Sequence, residues 1–84
     1  GRDISRQDAA CMIYRYLQTY KPERLKDAAD EFSDSADIAD YAKTPVSVMR
    51  GSGLLNGDEN NNFRPRDFMN RAEAAQMIYN LLGE

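Results

Sequence analysis

Two stretches of this chain are versions of one helix. Ile4-Ser-Arg-Gln-Asp-Ala-Ala-Cys-Met-Ile-Tyr-Arg-Tyr-Leu17 recurs in altered form as Met69-Asn-Arg-Ala-Glu-Ala-Ala-Gln-Met-Ile-Tyr-Asn-Leu-Leu82, at an offset of 65 residues with seven of fourteen positions identical. Self-similarity at a fixed spacing marks repeat architecture, in which each unit buries its apolar face against a neighbour. A chain of 84 residues that holds the helix twice reads as a piece of a tandem array. At this size there is room for one small core, and folding buries only about 60–65% of the unfolded surface.

Both copies carry helix signals. Over residues 5–20, Ser5 is a good N-cap, Asp8 follows three residues on, and Ala9, Ala10, Ile13, Tyr14 and Leu17 fall at helical spacing until Pro22 ends the run. In the second copy Asn70 caps and Glu73 answers three residues on. Ala74, Ala75, Met77, Ile78, Leu81 and Leu82 form the apolar side, and Gly83 supplies a stop.

The intervening segment predicts a short helix around Glu23–Ala29 with Leu25 and Ala28 inward, then a loop anchored by Phe32. Ile38, Tyr41, Ala42, Val46 and Met49 carry helical spacing, but Pro45 lacks an amide hydrogen, which predicts a kink or break there. Residues 51–68 read as a long loop rich in Gly and Asn, pinned by Leu54, Leu55, Phe63 and Phe68. Loops of that length in compact domains are usually functional. The fold class is all-α: a small helical repeat unit joined by that loop.

Composition excludes several functions. Net charge is −3 and the eleven basic residues are dispersed, which argues against nucleic acid as a partner. The chain has no histidine and one cysteine, so the usual general base and metal ligand are absent and no internal disulfide can form. Cys11 aligns with Gln76, which suggests a half-exposed packing thiol. No apolar run approaches the roughly 20 residues of a membrane span. Asp58, Asn60 and Asn62 meet the first three positions of a calcium loop. Phe63 stands where glycine is needed and Met69 where glutamate is needed, so the stretch reads as turns and no metal or other cofactor is expected.

What remains is a pair of arginines. With Ser5 and Asn70 as caps, Arg6 and Arg71 fall at the first helical position, where the helix dipole disfavours a cation by roughly 0.3–1 kcal/mol. Two compensations are open. One is an ion pair, local with Asp8 and Glu73 or across a repeat boundary. The other is an external anion held by the guanidinium and the free amides of the helix start. The tyrosines read as packing at Tyr14 and Tyr79, and as surface contacts or an oligomer seam at Tyr16 and Tyr20.

Five ordered motifs resemble the S-layer homology family: Phe32-Ser-Asp34, Ile38-Ala-Asp-Tyr41-Ala42, Gly53-Leu-Leu-Asn-Gly57, Phe63-Arg-Pro65 and Met69-Asn-Arg71-Ala-Glu73-Ala-Ala. On that resemblance residues 1–20 are the closing helix of a preceding repeat, 21–31 a linker or short helix, and 32–84 a complete repeat. The resemblance implies a secreted, non-catalytic module at the bacterial cell wall or S-layer. It also implies attachment to an anionic, commonly pyruvylated, secondary cell-wall polysaccharide through grooves between repeats. Arg71 and Arg6 are the carried-over ligand residues, with Glu73, Gly53 and Gly57 beside them. Gln7-Asp8 departs from the family's Ala-Glu, which weakens the first copy as a site. The alternative is an assembly module whose arginines form inter-repeat salt bridges. One and a half repeats leave apolar surface uncovered, which predicts a homo-oligomer, a two-fold dimer that exchanges helices.

Overall fold

The computed structural model describes residues 3–28 and 31–82, with side chains to residue 79. Gly83 and Ala29 lie outside the described residues. Along the chain come β1 (Ile4–Ser5), α1 (Arg6–Tyr20), 3₁₀ turns at Pro22–Arg24 and Ser35–Asp37, α2 (Asp40–Gly51), β2 (Phe68–Met69) and α3 (Arg71–Leu82). The all-helical class holds, with one addition that no sequence pattern announced. β1 and β2 form an antiparallel ribbon in which Ile4 faces Met69 and Ser5 faces Phe68.

The first helix starts as its cap dictates. Ser5 is extended, and its Oγ accepts from the Asp8 amide at 3.2 Å. The helix stops at Lys21, which leaves the helical conformation (φ −143°, ψ 55°) ahead of Pro22, as the clash with the proline ring disfavours α there. Its inner face, Ala9, Ala10, Ile13 and Leu17, is at most 6% exposed. Cys11 is also buried rather than half-exposed, and burial is the main cause that pushes its thiol pKa up.

α2 runs unbroken through Pro45, so of the kink or break expected there the break does not occur. Pro45 forfeits one hydrogen bond and costs about 3 kcal/mol in a helix interior. Val46 and Met49, 1% and 0% exposed, lie just beyond it. Full burial of each such side chain contributes about 1.5–3 kcal/mol, enough to hold both halves of the helix against α1. The start of α2 has no capping side chain of its own. Instead the amide of its cap residue, Ala39, donates to Oε1 of buried Gln7 at 2.9 Å. Its end is a Schellman turn: Leu54 N–H to the Met49 carbonyl at 2.9 Å and Gly53 N–H to the Arg50 carbonyl at 3.0 Å, with Gly53 at φ 77°.

The predicted helix at Glu23–Ala29 is replaced by the Pro22–Arg24 turn and a non-helical segment. That segment is tied down by a 2.7 Å bond from the Lys26 amide to Ser52 Oγ. Leu25 is partly buried as expected, but Ala28 is exposed.

The long loop closes over α1 and α2. Phe63 is fully buried and stacks on Phe32 with ring centroids 5.3 Å apart, and Leu55 joins them in the core. Phe68 is 70% exposed on the ribbon, because its neighbour Met69 takes the inward position of the two-residue pleat. The core is therefore drawn from α1, α2 and the loop; from α3 only Met77 packs against its edge among the described residues. Tyr79, expected to pack, is 72% exposed.

Candidate functional site

Each arginine is the first residue of the helix that follows its strand, and the antiparallel register places the two beyond opposite ends of the ribbon. Their surroundings differ. The Arg6 guanidinium turns onto the loop: its Nε donates to the Phe63 carbonyl at 2.8 Å, and its central carbon lies 5.2 Å from the Phe63 ring centroid. Burial, and after it the charge of Arg64, lower its pKa from the usual arginine value, while Asp67, Glu73 and Asp34 oppose the shift. The expected local pair with Asp8 does not form. Asp8 instead accepts from the Tyr41 hydroxyl at 2.5 Å, a bond that holds the Tyr41 pKa above its ordinary value.

The amides at the start of α1 are also taken. Arg6 N–H donates to the Asp67 carbonyl at 2.9 Å and Gln7 N–H to the Pro65 carbonyl at 3.0 Å, with Asp8 N–H on its cap. Those bonds leave none of these three amides free for an external anion, which corrects the expectation for the first copy.

At α3 only the cap is closed. Asn70 Oδ1 accepts from Glu73 N–H at 2.8 Å, and Glu73 Oε1 accepts from Asn70 N–H at 3.1 Å, a reciprocal capping box. Among the described residues, no acceptor meets the amides of Arg71 and Ala72, and none pairs with the exposed Arg71 guanidinium. Among the described residues, a cation and two N–H groups without an acceptor thus share one helix start.

The glycines belong to a different neighbourhood. Gly53 holds the left-handed position after α2. A Cβ on Gly57 would sit 2.9 Å from the Asn61 Cα, so the Asp58–Asn62 turn needs glycine there. Asp58 organises that turn, accepting from the Asn60 and Asn62 amides at 2.8 and 3.0 Å, and these bonds lower its carboxyl pKa. Its carboxylate is thereby occupied with the loop's own backbone.

A groove of about 270 Å³ is lined by Asp34 and Asp37 at the Ser35–Asp37 turn and by Arg64, Pro65, Arg66 and Asp67 of the loop. Its charges are mixed: Arg64 lies 3.7 Å from Asp58 and 3.6 Å from Asp67. Asp34 is a clamp, its two oxygens accepting from Phe63 and Arg64 amides at 2.9 and 2.8 Å. Sequence reasoning missed Arg50. Its guanidinium lies 4.1 Å from the Phe32 ring centroid and donates to Asn61 Oδ1 at 2.8 Å, locking the loop to α2. The one available signal was an arginine in the last turn before a glycine stop, which many helices share.

The motifs that build this geometry are those of a known family. The S-layer homology domain matches residues 31–75, more than half of the chain, and the chain belongs to that family. Over 73 residues, or 87% of the chain, it is 40% identical to an exoglucanase, XynX, of Acetivibrio thermocellus and 41% identical to an amylopullulanase of Thermoanaerobacterium thermosulfurigenes. It is 38% identical over 55 residues, 66% of the chain, to a surface-layer 125 kDa protein of Lysinibacillus sphaericus. The chain spans only 4–6% of the length of these relatives. No solved structure matches it. Family membership places the chain at the cell wall or S-layer, as a non-catalytic anchoring module. No helix among the described residues is long and apolar enough to cross a membrane.

Proposed function

We propose that the module anchors its parent protein by holding an anionic, pyruvylated secondary cell-wall polysaccharide, and that Arg71 grips the acid group. The observation that carries this reading is the start of α3: an exposed guanidinium beside two amides that meet no acceptor among the described residues. An anion there relieves the misplaced cation and satisfies the amides at once. Glu73 keeps the helix start in shape through its capping box. Arg6, bonded to the Phe63 carbonyl, and Gly53 and Gly57, which shape the same loop, belong in this reading to a more distant wall of the groove.

The second reading is an assembly module joined by arginine salt bridges between repeats. Exposed Ile78 and Tyr79 favour assembly of some kind. The salt-bridge form is disfavoured by Arg6, whose hydrogen bond runs to a carbonyl and not to a carboxylate. Co-sedimentation with purified sacculi, before and after removal of their secondary polysaccharide, separates the two. Retention only on the unstripped wall is expected, with loss in a normally folded Arg71→Ala variant. Equal retention on both walls, or on neither, contradicts the anchor.

A further inference from the structure

The apolar face of α3 has a counterpart whose cover is visible. On α1 that face is Ala9, Ala10, Ile13 and Leu17, and it lies against a groove of α2 and loop residues that includes Val46, Met49, Leu55 and Phe63. The same four residue types stand at Ala74, Ala75, Ile78 and Leu82. Yet Ala75 is exposed and Ile78 is 41% exposed. The described residues thus hold one groove and two helices written to fill it.

We propose that α3 is a donor helix, able to fill the groove on residues 31–67 of a second copy of this chain in place of that copy's α1. The pairing is heterologous, with α3 of one copy in the groove of the next, so it runs head to tail and not as the two-fold pair that the repeat alone suggests. Two differences set the order of preference. Gln76 replaces buried Cys11, and Ala72 replaces Gln7, which caps α2. Linkage within one chain also gives α1 a high effective concentration. The groove therefore keeps α1 in an intact copy and accepts α3 when α1 is disabled.

In the donated register Arg71 comes beside the acceptor's Phe63 carbonyl, as Arg6 does within one chain. The test is placed on Ile78 so that helix donation is read apart from anion binding, and no polysaccharide enters it. The full-length Leu17→Asp variant, whose α1 cannot be buried, is mixed with the unmodified chain and followed by sedimentation velocity and by its thermal transition. The expected result is a one-to-one complex with a restored cooperative transition, and loss of that complex when the donor carries Ile78→Asp. The Ile13→Ala chain, with a weakened but uncharged α1, serves as a second acceptor and should show the same dependence on donor Ile78. No complex with either acceptor, or complexes indifferent to Ile78→Asp, overturns the proposal.

Discussion

Ile13 and Ile78 hold the same position in two copies of one helix, yet Ile13 is 4% exposed and Ile78 is 41% exposed. Both helices are capped, both carry Ala-Ala-x-Met-Ile-Tyr, and both follow a strand of the same ribbon. What separates them is cover. Residues 31–67 fold over α1, whereas α3 rests on β2 and touches the core edge through Met77. We propose that α1 closes a preceding repeat; the packed unit and the sequence repeat are then out of phase, with that helix completing a core on residues 31–67. Local pattern specified that each segment is helical, and tertiary cover decided which of the two is buried.

Paired substitutions make the contrast measurable. Ile13→Ala should destabilise the chain by about 2–4 kcal/mol in denaturant titration, through lost burial and a cavity. Ile78→Ala in dilute solution should cost well under about 1 kcal/mol, as surface changes do. Equal costs would mean that α3 is part of the same core.

The arginine pair comes next. Arg6→Ala removes a hydrogen bond to a buried residue's carbonyl and a ring contact, so it should cost about 1–3 kcal/mol. Arg71→Ala removes a cation from the wrong end of a helix. It should leave stability unchanged or raise it by about 0.3–1 kcal/mol, while abolishing retention on the wall. A stability loss at Arg71 equal to that at Arg6 would assign both arginines to packing.

The caps repeat the contrast between the two helices. Ser5→Ala should lower global stability by about 0.5–2 kcal/mol. Asn70→Ala opens a cap of the same kind, but its cost should appear as faster amide exchange within α3, with the unfolding midpoint unmoved.

Much of this contrast was absent from the sequence for physical reasons. The caps Ser5 and Asn70, the stop before Pro22, and the anchors Phe32, Leu55 and Phe63 were all legible, because short-range hydrogen bonding and apolar spacing set them. The ribbon was not, since two residues per strand are too few to show a period of two. The helix does not break at Pro45 because the local penalty was outweighed by burial at Val46 and Met49, which only the packed structure displays. Gln7, Asp34 and Arg50 each bond a partner 11 or more residues away, so their roles as cap, clamp and lock carry no local signature. At the candidate site the repeat revealed both arginines. It could not show that one is engaged with Phe63 while the other is open.

Residue-resolved amide hydrogen exchange in dilute solution bears most directly on the out-of-phase unit. The α1 amides from Ala10 to Leu17 should exchange only through global unfolding, and those of α3 from Ala75 to Tyr79 through local opening at much lower free energy. Protection of α3 equal to that of α1 would contradict it.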